Sequence, residues 1–549
     1  MPPRVKRSPK PAQKDDEDRS ETFVLEHEIA ETELVFGLVA ALGTDMDRVS
    51  EELHLALERV GYETSEIRLS SLLREVDWDE PLEENAKLDT YIATHMDAGD
   101  HLRQRWERAD ALALLATAEI NRARERLVAA GEPLKRRAWL LRQLKTPEEA
   151  QTLRDVYGSR FFLIAAYSPD DERAEWLEKA ITKSRKTANQ TKWEYRAAEL
   201  LRRDQSEEPP YGQNVRDTFH RADLFIDASR DANTTAQLNR LLEIVLANPF
   251  KSPTKDEFAL FEAYGAARMS AEPGRQVGAA LVNDQGEVIA LGTNEVPRPG
   301  GGVYREGSNE PGIPDQREFR FGRDDFERSI DTNDRVQREI AKEIAAALGE
   351  EERDWLMDGV DPDQLLAAIL DTTLGDLTEF GRAVHAEMSA ILDAARNGRA
   401  VAGASLYVTT FPCHNCARHI VGVGIRTCVF LAPYAKSQAG MLHSDAIVVA
   451  SSAGDPAKVS FQPFVGVAPR RFAELFTWTR RKKDDGMLWT WDEKTAVPRL
   501  ADTEAEELRQ SRPAYRQHEY LIMRKLTEVQ KQRNLKLRGP DPRGGKGGP

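Results

Sequence analysis

One histidine and two cysteines constrain the fold of this chain more than any other feature. His385 opens a His-Ala-Glu segment, and Cys413 and Cys416 follow in Pro-Cys-His-Asn-Cys after a run of strand length. Two cysteines three positions apart at a helix start share one face, where the helix N-terminus favours thiolates. With an imidazole they supply the three protein ligands of a catalytic zinc site, whose fourth position stays open. The sequence therefore predicts helix, strand and helix around one metal ion, with Glu387 beside it as a non-ligand.

The cysteines leave other interpretations open. Cys-x-x-Cys is also typical of redox pairs and of half a structural zinc site, which would need a fourth cysteine or histidine at matched spacing. The third cysteine, Cys428, lies inside the strand-like run Arg-Thr-Cys-Val-Phe-Leu, and we expect it to be a small core residue. Three cysteines in 549 residues exclude a disulfide framework and fit a reducing compartment.

Length and composition are those of a globular protein with two or three domains, since 40% of the residues are hydrophobic and 31% are charged. No window approaches the roughly 18 to 20 apolar residues of a membrane span. The first twenty residues lack the apolar core of a secretory signal. We therefore expect a cytoplasmic protein that does not bind membranes. The net charge of −15 gives no support to stable nucleic-acid binding.

The first half of the chain alternates strand-like and helical patterns. Apolar runs of strand length occur at 33–45, 160–167 and 222–227, and helical patterns follow the first of them and recur around 103–130. Thr146 and Glu149 have capping-box spacing, with proline at the first helical position. This alternation predicts a parallel sheet covered by helices.

The second half repeats the alternation with one interruption. A capping-box pattern at Thr254 opens a helix, and further helices are expected to start near His385 and Cys413. Residues 305–380 do not fit the alternation, and we interpret them as an insertion with a helical centre. The expected strands lie at about 277–282, 287–292, 404–409, 426–431 and 446–450.

The zinc-ligand pattern resembles that of the zinc nucleoside and nucleotide deaminases, whose signature is H-x-E followed by P-C-x-x-C. The resemblance implies that His385, Cys413 and Cys416 hold one zinc ion. It also implies that an activated water attacks C4 of cytosine. Glu387 would then carry the proton to N3 and to the leaving ammonia.

Residues 270–302 resemble the first strand pair of the deoxycytidylate deaminases, in which Gln-Val-Gly-Ala precedes a Gly-x-Asn and a Pro/Gly-rich loop. By this resemblance Asn294 recognises the sugar and Arg275 approaches the phosphate. The family usually has tyrosine before the asparagine, whereas this chain has Thr293. Asn294 also fits an ordinary turn residue at a strand end. Phe411 and Lys436 complete the substrate-binding candidates, although an exposed lysine is more often solvated.

A polynucleotide deaminase is the rival enzyme class, because such proteins flip a base into the same kind of zinc site. They usually combine a basic groove with stacking aromatic residues. The acidic net charge, and the absence of a mixed aromatic and basic run around 411–436, argue against it.

The segment Gly-Leu-Val-Ala-Ala-Leu-Gly-Thr-Asp has the strand, glycine and helix layout of a phosphate-binding loop. Its candidate residues are Gly37, Gly43, Thr44 and Asp45. The lysine of G-x-x-x-x-G-K-[ST] is missing, so phosphoryl transfer lacks its cation. Binding through backbone N–H groups could persist, and a tight turn without any ligand is the alternative.

The first half resembles P-loop nucleotide kinases, and the whole layout resembles the bacterial anti-phage dCTP deaminases. This implies a P-loop NTPase-like parallel sheet domain, followed by a cytidine-deaminase-like three-layer α/β/α domain with a mixed five-stranded sheet. The expected parts are an arm at 1–22, a kinase-like domain at 25–232, a connecting helix at 233–253, a deaminase domain at 254–480, a helical extension at 481–535 and a tail at 538–549.

That family converts dCTP and dCMP to deoxyuridine nucleotides and so depletes dCTP during phage replication. The resemblance implies Zn²⁺, a homo-oligomer, and an inhibitory regulator or phage-derived trigger. We hypothesise that the P-loop half senses a regulatory nucleotide, and leave Mg²⁺ open. The alternative is a nucleotide-sensing signalling or toxin-like protein in which deamination is secondary.

Overall fold

The structure is a computed structural model. It describes residues 33–78, 82, 86–132, 134–186, 191–205, 211–306, 315, 317, 331–348, 361–377, 379–433, 437–449, 455–478, 480–498 and 514–532. The arm expected at 1–22, the tail expected at 538–549 and Lys436 lie outside these residues. Internal contacts divide the chain into two units: Met1–Ser252 with Val465–Pro549, and Pro253–Phe464.

Strands and helices alternate through both units. The strands are β1 (Leu34–Ala40), β2 (Glu63–Arg68), β3 (Arg137–Arg142), β4 (Phe161–Tyr167), β5 (Leu224–Asp227), β6 (Gly278–Val282), β7 (Val288–Thr293), β8 (Ser405–Val408), β9 (Thr427–Phe430), β10 (Ile447–Val449), β11 (Val459–Pro463) and β12 (Gly466–Val467). The α-helices are α1 (Met46–Arg59), α2 (Leu69–Leu72), α3 (Leu88–Trp106), α4 (Ala111–Ala129), α5 (Pro147–Tyr157), α6 (Asp170–Ser184), α7 (Thr191–Gln205), α8 (Val215–Phe219), α9 (Thr234–Val245), α10 (Lys255–Ala267), α11 (Thr332–Leu348), α12 (Pro362–Leu370), α13 (Ala386–Arg396), α14 (His414–Gly422), α15 (Ala439–Leu442), α16 (Pro469–Phe476) and α17 (Ala514–Gln532).

The first unit is built on a sheet with the order β12-β5-β4-β1-β3-β2. Strands β1 to β5 are parallel, and β12 runs antiparallel to β5. All seven residues of β1 are buried, as a strand covered on both faces requires. This is the parallel sheet that the alternation of strands and helices predicts. The edge strand β2 was not predicted, because its sequence Glu-Thr-Ser-Glu-Ile-Arg is polar.

Two helix starts form as their local sequences predict. The side chain of Thr146 accepts a hydrogen bond from the backbone of Glu149, whose carboxylate accepts from the Thr146 backbone in return. Thr254 and Glu257 make the same reciprocal pair at the start of α10. These capping boxes satisfy N–H groups that the helices leave unpaired, so both boundaries are set within four residues of sequence.

The second unit contains a mixed sheet with the order β10-β11-β9-β8-β6-β7. Strand β6 is antiparallel to both β7 and β8, while β8, β9, β11 and β10 are parallel. The sequence predicts five strands here, and the structure has a sixth, β11. Its sequence Val-Ser-Phe-Gln-Pro alternates polar residues and ends in proline, so it gives a weak strand signal.

Residues 465–480 lie in the first unit, whereas the sequence assigned them to the deaminase domain. Strand β12 pairs with β5, and the guanidinium of Arg471 on α16 lies 4.6 Å from the ring centroid of Phe162. Further along, the indole N–H of Trp491 donates to the carbonyl of Leu246 at 2.9 Å. These pairings join positions hundreds of residues apart, which local sequence patterns do not encode.

The part of the insertion that the structure describes is mainly helical. Helix α11 covers the helical centre expected within 305–380, and α12 follows it. Among the described residues, no helix combines the length and apolar character needed to cross a membrane.

Candidate metal centre

Three potential ligand atoms meet at the starts of two helices. His385 is the N-cap residue of α13, Cys413 is the N-cap residue of α14, and Cys416 lies in the first turn of α14. The Nδ1 atom of His385 is 3.4 Å from the Sγ atom of each cysteine. All three atoms lie within 4.8 Å of one another. The structure therefore brings together the three residues that the sequence selects as ligands.

The sheet of the second unit holds both helix starts in place. Gly292 on β7 has no side chain where α13 crosses it, and a Cβ atom there would lie 2.0 Å from the Ala386 carbonyl oxygen. Next along the chain, Glu295 and Val384 form an antiparallel bridge through backbone N–O contacts of 3.3 and 3.1 Å. His385 follows directly, so its position is fixed by backbone contacts.

The donor set fits zinc. One imidazole nitrogen and two sulfurs are ligands that zinc prefers, and three such ligands leave a fourth tetrahedral position open. The fourth ligand of a closed structural site does not occur in the cluster that the described residues form. Cys428 is fully buried within β9, as expected for a core residue.

The three ligands share a hydrogen-bonded electrostatic environment. Hydrogen bonding to Cys413 raises the pKa of His385 to about 9. Hydrogen bonds from Cys416 and His385 lower the pKa of the Cys413 thiol to about 4. The bond to Cys413, together with burial, raises the pKa of Cys416. Cys413 is thus already stabilised as the thiolate that a metal requires.

Glu387 lies in the first turn of α13, two residues after His385, and is 3% exposed. Burial raises the pKa of its carboxyl group. Cys416 is hydrogen-bonded to the same carboxyl, which places Glu387 against the ligand cluster. A raised pKa favours the protonated form, so this carboxyl holds a proton more readily than an exposed glutamate does.

Asn294 lies at the edge of this site, beside the bridge that precedes His385. Its Oδ1 accepts a hydrogen bond from the Val277 amide at 2.7 Å, and its Nδ2 donates to the Arg275 carbonyl at 2.9 Å. The side chain thus holds the segment that leads into β6. One N–H and one lone pair of the amide remain for another partner. The side chain of Arg275 is exposed.

Phe411 lies two residues before Cys413 and packs into the aromatic core. Its ring meets those of Phe430 and Phe461 edge-on, with centroids 4.9 and 5.4 Å apart. Its amide donates to the Ala432 carbonyl at 2.8 Å, which fixes the turn before Cys413. Packing is therefore the role that the structure shows for this substrate-binding candidate.

Sequence reasoning missed Glu379, whose carboxylate binds the turn between the two cysteines. Asn415 Nδ2 donates to Glu379 Oε1 at 3.1 Å, and His414 Nε2 lies 3.5 Å from the same oxygen. Glu379 precedes His385 in an irregular segment, where spacing alone gives no signal. Two unpartnered buried hydroxyls, those of Thr293 and Thr410, also adjoin the site in sequence within the described residues.

The residues of the predicted phosphate loop do not all lie in one loop. Gly37 is inside β1, where a Cβ atom would come within 2.9 Å of the Phe161 ring. Gly43 and Thr44 form the turn after β1, and Gly43 has a φ of +86°. Asp45 caps α1 by accepting a hydrogen bond from the Arg48 amide at 3.1 Å. The turn is therefore shorter than the motif suggests.

Known proteins resemble parts of this chain. Residues 253–432 match the family model for the cytidine and deoxycytidylate deaminase zinc-binding region. Over 57 residues, 10% of this chain, the sequence is 47% identical to the deoxycytidylate deaminase of Enterobacteria phage T4. Over 176 residues, 32% of this chain, it is 23% identical to the deoxycytidylate deaminase of Homo sapiens and spans 64% of that protein.

The sequence similarities to the phage and human enzymes cover only part of each protein. The chain spans 30% of the length of the phage T2 and T4 enzymes that it matches. A solved dCMP deaminase from the cyanophage S-TIM5 is 14% identical, with 39% of this chain and 100% of that chain covered at a TM-score of 0.21. The matched residues include all three ligands and Glu387. The chain thus contains a zinc-binding region of the cytidine and deoxycytidylate deaminase type.

Proposed function

We propose that this protein hydrolytically deaminates deoxycytidine nucleotides, dCMP, dCTP or both, in a zinc-dependent reaction. One observation carries the proposal: a buried glutamate lies against a cluster of one histidine and two cysteines whose ligand atoms are within 4.8 Å of one another. Deoxycytidylate deaminases among the relatives support a deoxycytidine nucleotide as the substrate.

His385, Cys413 and Cys416 would hold the ion. The chemistry that zinc supplies in such a site is a hydroxide nucleophile near neutral pH, because zinc lowers the pKa of water. Glu387 would carry one proton of the attacking water to N3 of the cytosine ring, where it stays, and the second proton of that water to the departing amine. The C4 amino group leaves as ammonia, and oxygen from water replaces it.

Binding of the sugar would use the remaining hydrogen-bonding capacity of Asn294. A sugar hydroxyl can donate to the free lone pair of its amide oxygen or accept from its second N–H group. The unpartnered hydroxyl of Thr293, which is 2% exposed, supports a polar ligand at this edge of the site. Buried polar atoms of this kind usually have a partner, from protein, water or ligand.

The deamination proposal is tested by incubating the zinc-loaded chain with dCMP, dCTP and single-stranded DNA, and resolving the products by mass. We expect deoxyuridine nucleotides and ammonia from the free nucleotides, with no product from the DNA. Glu387→Gln should lower kcat at least a hundredfold, since general acid–base catalysis typically contributes about 10² to 10⁴. Glu343→Gln, at an exposed position of α11, is the control. Unchanged turnover in Glu387→Gln would exclude the proposed mechanism.

The first unit is proposed to bind a nucleotide that regulates deamination. The turn between β1 and α1 lies at the carboxyl end of a central parallel strand, where α/β sheets commonly bind ligands. The test is the deamination rate across added nucleotides in Gly43→Asp and in the unaltered chain. A Cβ atom at Gly43 would lie 2.4 Å from the Arg173 carbonyl oxygen, so the substitution distorts this turn. An identical nucleotide response in both chains would contradict regulation through it.

Depletion of dCTP during phage infection, in the cytoplasm and by a homo-oligomer, is the biological role proposed from the resemblance of the whole layout. Cells that express the chain should lose dCTP and resist phage, whereas cells with Glu387→Gln should do neither. Resistance in the Glu387→Gln cells would favour the nucleotide-sensing or toxin-like alternative. Light scattering would give the oligomeric state.

A further inference from the structure

The turn between β1 and α1 is closed by a carboxylate from another helix. The backbone N–H of Leu42 donates to Oδ2 of Asp204 at 2.7 Å. Asp204 lies on α7 and is completely buried. An N–H group at this position, just before a helix start, is the kind of donor that binds phosphate in nucleotide-binding loops.

Lys145 binds the second oxygen of the same carboxylate. Its ammonium group contacts Oδ1 of Asp204, and its side chain is 16% exposed. Backbone contacts fix this lysine: its N–H donates to Glu149 Oε2 at 2.7 Å, and its carbonyl accepts from the Asn214 amide at 2.8 Å. Lys145 follows β3, the strand beside β1. It thus brings to the turn the cation that the turn's own sequence lacks.

Arg173 and the hydroxyl of Thr44 also lie at this turn. Arg173 on α6 donates from Nη1 to the Leu42 carbonyl at 3.2 Å, which orients the peptide that follows the N–H donor. The hydroxyl of Thr44, which is 4% exposed, has no hydrogen-bond partner among the described residues. Thr44 follows Leu42 by two residues in the same turn, and a buried hydroxyl without a partner there is a group that a ligand oxygen could satisfy.

We propose that the Leu42 N–H and the Lys145 ammonium form a phosphate subsite, and that Asp204 is an internal carboxylate that occupies it until a polyphosphate displaces it. A carboxylate and a phosphate present the same anionic oxygen acceptors to these donors. A polyphosphate carries more charge and more oxygens, so it can replace Asp204 and also reach Thr44. The competition makes α7, which carries Asp204, the element that moves.

This inference deepens the proposed regulation by the first unit and does not depend on deamination by the second. The experiment distinguishes a failure of this proposal from a failure of the deamination proposal, because binding is measured with ligands that contain no cytosine. Inorganic tripolyphosphate and ATP serve as the probes in isothermal titration calorimetry on the full-length chain. Tripolyphosphate tests the phosphate subsite alone, and ATP adds a base and a sugar.

Asp204→Asn removes the competing charge and keeps the size of the side chain. We expect it to bind tripolyphosphate at least tenfold more tightly than the unaltered chain, because the ligand no longer has to displace an anion. Adding Lys145→Met should abolish the gain. The matched control is Asp89→Asn, which alters another buried aspartate of the same unit, paired with Arg185. It should leave the affinity unchanged.

Three results would overturn the proposal. Asp204→Asn, shown by its unfolding curve to be folded, could bind tripolyphosphate no more tightly. Asp89→Asn could show the same gain, which would mean that any loosening of the unit suffices. A gain for ATP without a gain for tripolyphosphate would place the effect outside a phosphate subsite.

Hydrogen exchange of the unaltered chain gives a test that needs no variant to fold. At a tripolyphosphate concentration that saturates binding, we expect faster amide exchange in α7 (Thr191–Gln205) and slower exchange at Leu42. Unchanged exchange in α7 under saturation would show that Asp204 stays in place and would overturn the proposal.

Discussion

At the residue scale, the second unit contains two kinds of cysteine. Cys413 is stabilised as a thiolate by hydrogen bonds from Cys416 and His385, whereas Cys428 is buried in β9 and burial raises the pKa of its thiol. Position at a helix start, rather than residue type, separates the reactive sulfur from the inert one. Glu387 differs in the same way from exposed glutamates, since burial beside Cys416 raises its pKa.

Replacing Cys413 by alanine should therefore remove bound zinc, whereas replacing Cys428 should not. Cys413→Ala should lose bound zinc and lower kcat/KM at least a hundredfold. Changing a group that only hydrogen-bonds to a metal ligand already costs about 10- to 100-fold in metal affinity or activity, and this change removes a ligand itself. Cys428→Ala is the matched control and should keep one zinc per chain. Metal analysis after gel filtration checks both, and full zinc content in Cys413→Ala would contradict the ligand assignment.

Gly37→Ala should lower stability without weakening polyphosphate binding. The added methyl group would crowd the Phe161 ring, at 2.9 Å, and Leu144, at 3.2 Å. Overpacking of this kind costs about 1–3 kcal/mol in the free energy of unfolding. Urea unfolding measures the cost, and calorimetry with tripolyphosphate measures the binding. A loss of tripolyphosphate binding at unchanged stability would indicate that Gly37 does take part in phosphate binding.

At the scale of elements, a short series of hydrogen bonds connects the insertion to the metal centre. Asn333 and Gln337 on α11 both donate to the Leu377 carbonyl, at 2.8 and 2.6 Å. Asn333 Oδ1 also accepts from the Phe380 amide at 3.3 Å. Glu379 lies between these two anchored residues and binds the turn that carries both cysteines. Helix α11 therefore supports the geometry of the ligands from outside the sheet.

Glu379→Gln should speed the release of zinc without unfolding the second unit. The glutamine amide keeps the size of the side chain and one hydrogen-bond acceptor, but it loses the negative charge that faces His414. We therefore expect zinc transfer to a chelator to become about tenfold faster. The effect should stay below that of losing a ligand, because the pair is more than one-third exposed. Glu339→Gln, an exposed position on α11, is the control. Equal zinc transfer rates in both variants would exclude a positioning role.

Sequence patterns predict the elements whose signals are local. Some features depend on residues only three or four positions apart, so they can be recognised from the sequence. They are the capping boxes at Thr146 and Thr254 and the helix starts at His385 and Cys413. Strand β11 and edge strand β2 are too polar for their periodicity to indicate strands. The roles of Glu379 and Asp204 depend on contacts across irregular segments and between helices, which spacing does not encode.

At the scale of the whole molecule, the C-terminal part of the chain completes the first unit. The carboxylate of Glu519 on α17 binds Arg124 on α4 through two contacts of 3.1 Å. Arg124 also binds Glu33 just before β1, and Trp139 on β3 donates to the same Glu33 oxygen at 2.6 Å. These groups are buried, so the last described helix is tied to the centre of the sheet. A sequence boundary near 480 separates residues that fold together.

Glu519→Gln should therefore destabilise the first unit while the metal centre stays intact. Removing one partner of a buried ion pair typically costs about 3–5 kcal/mol, and we expect about 3 kcal/mol because Arg124 keeps Glu33. Circular dichroism during urea unfolding reports the cost, and a zinc-sensitive dye in the same titration reports the second unit. The control is Glu528→Gln, at an exposed pair on the same helix, which should change neither signal. Glu519→Gln could instead lower the urea midpoint of zinc release by as much as it lowers the urea midpoint of the circular dichroism signal. That result would contradict the prediction and show that the two units unfold together. If the substitution left both unchanged, α17 would not be part of the first unit's cooperative core.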